Sequence, residues 1–324
     1  MAFGERVHLV IHVGPHKTGT TSIQKMLLSQ SSKEDCGFTY PLLCGDEIGQ
    51  HTFAQSACSP ERPACQRMLA VLKTVEGLCV LSSEELCYLP ASGIRSLRDA
   101  LPDARVTIAY YQRDILSLLQ SWWQETVKHG SVRTLPDFAF GCVLAPSQLH
   151  LLVPDTLLKG WASFFGRDAI RIVRYDRVSD VAKQFASDFL ALDLPAEALA
   201  FSNPSYDYID CEMMRFWNRQ GFWGSGVVQA PDYLDVRTEF AERSSAFTRN
   251  FSLNYSRSAF STIEEMLISR WGDRIEGFDG GQLFEVRERL YSYIDPDVWA
   301  AHPALIDKMR AFALQNAAFS CPKR

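Results

Sequence analysis

The stretch His12-Val13-Gly14-Pro15-His16-Lys17-Thr18-Gly19-Thr20-Thr21-Ser22 decides how this chain is read. An apolar run over residues 7–13 leads into it and a helical pattern over 22–28 comes after it. A strand, a glycine turn and a helix N-terminus make an anion site, because successive backbone N–H groups and the positive end of the helix dipole converge on one oxyanion. The nucleoside-triphosphate template G-x-x-x-x-G-K-[ST] has its glycines at the spacing of Gly14 and Gly19. Thr20 stands where that template needs lysine, and Lys17 lies inside the loop instead. The pattern is a phosphate cradle whose lysine is displaced from the place that Mg-ATP chemistry uses.

Outward from this loop, four short β-branched or apolar runs read as buried strands: residues 7–13, 78–82, 106–111 and 170–174. Helical patterns lie between them at 21–30, 64–75, 94–100 and 115–129. Alternation of this kind predicts an α/β fold of the P-loop-like, three-layer kind, with a central parallel sheet covered on both faces. Ligands of such sheets sit beyond the carboxyl ends of the strands. The segments that matter most are therefore 14–20, 82–85, 112–114 and 175–176. Residues 37–63 show little periodicity and read as a long loop near the cleft. From about residue 203 the pattern turns helical and aromatic-rich, with loop signals at 221–231 and 277–281. The expectation is a single domain over 1–324: a nucleotide-binding core over 1–200 and a mainly helical acceptor and closure region over 201–324.

The chain has 324 residues, 47% of them hydrophobic, which is enough to bury a large core. A net charge of −5 argues against a general nucleic-acid binder, which would carry a basic face. The nine cysteines stand at 36, 44, 58, 65, 79, 87, 142, 211 and 321, with no C-x-x-C pair. That pattern indicates neither a zinc site nor a thioredoxin-like motif and reads as free thiols in a reducing compartment. No apolar run reaches the roughly 18 residues of a membrane span. The first residues read as a core strand in place of a signal peptide. The expectation is a soluble cytoplasmic protein with no integral membrane segment.

A second anion element fits the first. Arg113 ends the third predicted strand, and Ser121 comes eight residues later on a predicted helix, two turns up. An arginine fork with a hydroxyl makes a phosphate site. Two anion sites at the ends of strands point to a nucleoside with phosphates at both ends. Here the sequence resembles the sulfotransferases that use 3′-phosphoadenylyl sulfate. Pro15-x-Lys17-x-Gly19-Thr20-Thr21 is similar to their 5′-phosphosulfate loop, with His16 as an extra residue between proline and lysine. Arg113-x7-Ser121 is similar to their 3′-phosphate element. Tyr175-Asp176 resembles the aromatic-acidic pair after their last core strand, where the tyrosine contacts adenine. The helical run 181–192, ending near Leu194-Pro195, also resembles the helix that comes after that strand in the family. The resemblance covers about residues 7–200, and the layout H-x-G-P-H-K-T-G-T-T-S-I-Q looks most like bacterial members. The C-terminal Arg-Lys-Gly loop of cytosolic eukaryotic members has no counterpart, since Arg249 precedes Asn250-Phe251.

The resemblance implies transfer of a sulfuryl group to an acceptor hydroxyl or amine, leaving adenosine 3′,5′-bisphosphate. Lys17 would neutralise the leaving phosphate, and the segment His16, Lys17, Thr18, Gly19, Thr20, Thr21, Ser22 would hold it. Arg113, Ser121 and Tyr175 would hold the rest of the nucleotide, with no metal required. The base expected from the resemblance lies at Glu84-Glu85. Ser82-x-x-Glu85 also reads as a capping box, which would leave Glu84 facing the cleft. His51 is the second candidate base. Trp122 and Trp123 divide between core and cleft, and Phe222, Trp223 and Tyr233 form either an acceptor wall or core. The acceptor is a glycan, a lipid or a small metabolite. Two alternatives stay open: a P-loop small-molecule kinase, which predicts a lysine at position 20, and a non-catalytic nucleotide-binding protein on the same fold.

Overall fold

The computed structural model describes residues 7–33, 35–43, 48–146, 150–194, 206–284, 290–316 and 318. Pro195, Cys44 and Cys321, named above, lie outside them. In chain order the elements are β1 (His8–His12), α1 (Thr20–Ser31), α2 (His51–Ala57), α3 (Pro63–Leu72), β2 (Leu78–Ser82), α4 (Ala91–Ala100), β3 (Arg105–Gln112), α5 (Ile115–Lys128), α6 (Leu135–Leu144), α7 (Pro154–Phe165), β4 (Ile170–Arg174) and α8 (Val181–Leu190). They continue with α9 (Tyr208–Arg219), α10 (Gly224–Val227), α11 (Tyr233–Ser244), β5 (Thr248–Ser252), α12 (Arg257–Trp271), β6 (Leu290–Ile294), α13 (Asp297–Ala301) and α14 (Pro303–Gln315). All four predicted strands form, each within a residue or two of its expected bounds.

The chain divides into two compact units. Unit 1 comprises Met1–Asp114, Leu149–Ser202 and Ile263–Glu285. Its sheet is wholly parallel, in the order β2-β1-β3-β4, with His12 in register with Ser82 and with Ala109. Alternate residues of each strand feed separate cores on the two faces. Leu9, Ile11, Leu81 and Ile108 pack with Phe53, Leu97 and Trp161 on one face. Val10, Val80 and Tyr111 pack with Ile23, Leu27 and Phe185 of α1 and α8 on the other. The α/β architecture with a central parallel sheet flanked by helices is thus the one the alternation predicts. Between β1 and β3 the strand order reverses direction, which makes the crevice at their carboxyl ends the switch point of the sheet.

Unit 2 comprises Ile115–Gln148, Asn203–Thr262 and Val286–Arg324. Helix α9 opens with an Asp207–Asp210 capping box and buries Met213, Met214 and Trp217. Trp217 donates its indole N–H to the Met309 carbonyl of α14 at 2.9 Å. Unit 2 also holds an antiparallel pair, β5 with β6, that the helical reading of the C-terminal region misses. Helices α2, α6 and α7 are absent from the sequence prediction as well. Residues 37–63, read as loop, contain α2, whose buried Phe53, Ala54 and Ala57 anchor it to the sheet. None of the seven described cysteines is in a disulfide. No helix among the described residues is long and apolar enough to cross a membrane.

One polar contact inside unit 1 is costly to break. Asp155 of α7 is 3% exposed and accepts from the Trp271 indole N–H at 3.0 Å and from Arg270 at 2.5 Å, with Lys159 at 2.9 Å. The two cations are half in solvent, so the buried indole N–H is what suffers when the carboxylate goes. Asp155→Ala should lower unfolding free energy by about 1–3 kcal/mol, the cost of an orphaned buried donor. Asp155→Asn, which keeps an acceptor, should lose less in the same urea titration.

Candidate functional site

The loop after β1 is pinned on both sides by continuation of the sheet. Val13 N–H donates to the Ala109 carbonyl (3.1 Å), Tyr111 N–H to the Gly14 carbonyl (3.1 Å) and Ser83 N–H to the His12 carbonyl (3.2 Å). Within the loop Lys17 and Gly19 both have positive φ, 69° and 75°. A lysine resists that conformation by roughly 1–3 kcal/mol, so its surroundings must hold it. Two bonds do so: Arg113 Nη1 donates to the Lys17 carbonyl at 2.5 Å, and the buried Thr18 hydroxyl donates to the Pro15 carbonyl at 2.6 Å. Gly19 precedes α1 without a side-chain cap. A Cβ there would come within 2.5 Å of Val181 Cγ1, so the turn leaves no room for a larger residue. Ser22 N–H bonds the Gly19 carbonyl at 3.0 Å. By helix geometry the amides of Thr20 and Thr21 have no partner within α1.

Arg113, at the end of β3, lies over the Tyr175 ring, 5.2 Å from its centroid. Asp176 Oδ2 accepts from Asp114 N–H at 2.6 Å, which ties the turn after β3 to the turn after β4. The Tyr175-Asp176 pair therefore sets the position of Arg113. Lys17, Gly19, Arg113 and Tyr175 are brought together at the switch point. Ser121 lies half-buried on α5, in unit 2.

A second cluster stands on the β2 side. The capping box expected on Ser82 and Glu85 does not form. Ser83 is the cap instead, its hydroxyl accepting from Glu85 N–H at 3.1 Å, and residues 84–88 make a 3₁₀ turn. Ser82 is unavailable because its hydroxyl shares a 2.8 Å hydrogen bond with His12 Nδ1. Glu84 points one carboxylate oxygen at two groups. Gln24 Nε2 of α1 donates to Oε2 at 2.9 Å, and His51 Nδ1 of α2 lies 3.9 Å from the same atom. His51 Nδ1 is also 3.0 Å from Ser83 Oγ. Gly49 closes over both partners, since a Cβ there would lie 2.6 Å from His51 Nε2 and 2.7 Å from Gln24 Cδ. Burial alone would push the Glu84 carboxyl up, but the Gln24 amide, its own backbone N–H, His51 and His16 together hold it below the usual carboxylate range. His16 Nε2 lies 3.8 Å from Glu85 Oε1, so His16 acts on both glutamates.

Sequence reasoning misses two residues here. Gln24 sits one turn into α1, 2% exposed, and nothing in the helical pattern marks it as the partner of a residue sixty positions on. His12, the last residue of β1, is wholly buried between the rings of Tyr111 and Phe185, both 5.5 Å away. Its Nε2 meets no hydrogen-bond partner among the described residues. Of the aromatic residues of the C-terminal region, Tyr233 belongs to the core, while Phe222 and Trp223 are half-buried. Tyr233 is buried with its hydroxyl donating to Asp210 (2.6 Å), and Trp223 donates to the Lys128 carbonyl (3.2 Å). Trp123 is buried as well, and Trp122 is half-buried. No group of His, Cys, Asp and Glu that could hold a metal ion occurs among the described residues.

No family model and no curated protein matches the chain. Among solved structures it is similar to a sulfotransferase from Alicyclobacillus acidocaldarius. The two are 15% identical, with a TM-score of 0.39, over 60% of this chain and 88% of that one.

His12 makes the pH dependence of folding specific. Burial pushes its pKa from the ordinary 6.5 down to about 4, against a smaller upward pull from Glu84. The folded state holds the ring neutral, so protonation favours the unfolded chain. This contribution to stability is complete above pH 6.5 and is lost as pH falls towards 4, by about 3 kcal/mol in all. Urea midpoints between pH 7 and 4 should fall less steeply in His12→Gln than in the unsubstituted protein.

Proposed function

We propose that the protein is a sulfotransferase that takes 3′-phosphoadenylyl sulfate as donor. The observation that carries this reading is the bond from Arg113 to the Lys17 carbonyl. It couples the displaced-lysine loop to the arginine at the neighbouring strand end, at the switch point of the sheet. The residues fit the group chemically. The loop and first turn of α1 offer backbone N–H donors and one cation, suited to a 5′-phosphosulfate. Arg113, supported by the Tyr175 ring, offers a fork suited to the 3′-phosphate. Ser121 is assigned the same phosphate on its spacing from Arg113. When bound, the donor supplies the sulfuryl group, and the reaction depends on positioning and on neutralising charge at the leaving phosphate.

In this reading Lys17 places its ammonium at the leaving oxygen, and the amides of residues 18–21 hold the phosphate. Glu84 takes the proton of the acceptor hydroxyl or amine. Its carboxylate stands in the deprotonated form that a base needs, and Gln24 fixes its Oε2 in place. His51, next to it, orients the acceptor or passes the proton onward. This reading includes no magnesium, as the resemblance implies, and Thr20 stands where the ATP template has its phosphate-binding lysine. We assign the acceptor to the carbohydrate-containing or small-molecule class, and the layout of the loop to the bacterial type.

Titration calorimetry should show binding of adenosine 3′,5′-bisphosphate and none of ATP-Mg. Tight binding of ATP-Mg alone would establish the kinase reading in its place. Arg113→Ala should cost about 1.5–3 kcal/mol of bisphosphate affinity, and more than it costs nucleotides that lack the 3′-phosphate, which lose only its support of the Lys17 carbonyl. Lys17→Ala should keep most of that affinity and lose about 10²–10³-fold in kcat. As a base, Glu84 is active when deprotonated, so turnover should fall only as pH drops below its ordinary value of 4.5. Gln24→Leu removes a bond to the ionised form and should move that acid limb upward. An unmoved limb would remove Gln24 from the mechanism.

A further inference from the structure

Two neighbouring serines at the carboxyl end of β2 are closed to bulk solvent, and each has a histidine ring nitrogen as its partner. Ser82 and Ser83 are both 0% exposed. Ser83 Oγ accepts from Glu85 N–H at 3.1 Å and lies 3.0 Å from Nδ1 of His51. Ser82 Oγ lies 2.8 Å from Nδ1 of His12. Neither hydroxyl has a further partner among the described residues. A buried hydroxyl hydrogen without an acceptor is a costly orphan, so each of these must go to its histidine or go unmatched.

The hydrogen of Ser83 therefore decides the state of His51. A neutral imidazole carries one proton and one ring lone pair, and its two nitrogens divide them. Were the proton on Nδ1, it would point at Ser83 Oγ. The serine would then accept twice while its own hydrogen faced no acceptor. With the proton on Nε2, Ser83 O–H donates to Nδ1, Oγ accepts from Glu85, and every group at the serine is matched. The same count holds at Ser82, because His12 Nε2 has no partner among the described residues. Donation to His12 Nδ1 leaves that nitrogen alone unmatched, whereas acceptance would also strand the Ser82 hydrogen.

The outer nitrogen of His51 is what the crevice meets. The side chain is 35% exposed, and Nε2 makes no hydrogen bond among the described residues. Only a residue without a side chain can pass this nitrogen, since a Cβ at Gly49 would lie 2.6 Å from it. On the inner side, Glu84 Oε2 stands 3.9 Å from Nδ1, too far for a hydrogen bond. The Nδ1 lone pair is already engaged by Ser83, so this nitrogen cannot receive a proton from Glu84. We propose that Ser83 is a positioning residue whose hydroxyl holds His51 in the Nε2–H form, so that His51 serves the crevice as a hydrogen-bond donor. It is neither a base nor a relay for the Glu84 proton. The atom it meets is an acceptor oxygen beside the hydroxyl that Glu84 deprotonates, as on neighbouring carbons of a sugar ring. The tautomer follows from the geometry alone, while the donor's task in catalysis rests on the sulfotransferase reading.

NMR of the full chain with isotope-labelled histidine reads the tautomer from couplings between ring nitrogens and carbon-bound protons. The spectra are taken at about pH 8, above the ordinary histidine range near about 6.5. The His51 signals are those lost in His51→Gln. They should report a single Nε2–H form in the unsubstituted protein and in Ser83→Thr, and a mixture of forms in Ser83→Ala. His12, held by Ser82, should keep its Nε2–H signal in all three, which shows that the surrounding fold is intact. A proton on Nδ1 of His51 in the unsubstituted protein, or a single unchanged form in Ser83→Ala, would overturn the assignment. The donor role is read from turnover of 3′-phosphoadenylyl sulfate with methyl glucoside as the probe acceptor. His51→Leu should lose about a hundredfold and His51→Gln, whose amide still donates, no more than about tenfold. Equal losses in the two variants, or no transfer to the glucoside by the unsubstituted protein, would overturn the donor role. Failure of adenosine 3′,5′-bisphosphate to bind would instead remove the sulfotransferase reading, and the tautomer would stand or fall on the NMR result.

Discussion

Parallel pairing of β1 with a neighbour on each side is the constraint on which the rest of unit 1 depends. A strand bonded along both edges cannot shift in register without breaking two ladders at once, so the turn after it is fixed in space. The backbone bonds from Val13, Ser83 and Tyr111 extend those ladders past the end of the strand, into the loop itself. A left-handed lysine survives there because its position is over-determined: Arg113 grips its carbonyl and Thr18 ties the loop back on Pro15. Chain reversal between β1 and β3 leaves a crevice that no crossover helix fills. Arg113 meets the Lys17 carbonyl and the Tyr175 ring because the ends of β1, β3 and β4 lie side by side in the strand order.

The floor of this crevice is unusually polar for the end of a buried sheet. His12, Thr18, Gln24, Gln50, Ser82 and Ser83 are all under 6% exposed. Most of them satisfy each other: Gln50 accepts from Ser82 N–H at 2.7 Å and donates to the Pro41 carbonyl at 2.9 Å. In a low-dielectric setting a connected set of this kind is stiff, and Nε2 of His12 is a valence it leaves open among the described residues. The network carries the position of Ser83, and hence of Glu84, back to β1.

The four strands were legible because most of their residues are buried on both faces and form apolar runs such as Leu78-Cys79-Val80-Leu81, and in β4 Ile170, Ile172 and Val173 keep the signal although Arg171 and Arg174 interrupt it. The loop was legible because glycine and threonine spacing reports backbone geometry directly. Helix α2 was not, since seven residues with a buried Phe53 and two alanines are too few to show a period. Strand β5 was hidden for a different reason. Thr248–Ser252 has no fully buried position, so neither alternation nor an apolar run marks it. The cap at Ser83 was displaced by one residue from the expected Ser82 because His12 had already claimed the Ser82 hydroxyl. Contacts that depend on strand order, Gln24 with Glu84 above all, leave no trace in local pattern.

Helix α1 carries two different duties on one rigid rod. Its first turn presents amides at the loop, and Gln24, a turn further on, grips Glu84. Twelve residues at a rise of about 1.5 Å make a body that tilts as a whole. Any ligand that draws the N-terminus of α1 towards itself must therefore also drag or release the Glu84 carboxylate. The two halves of the crevice are geared together: filling one retunes the other, and neither can be remodelled in isolation.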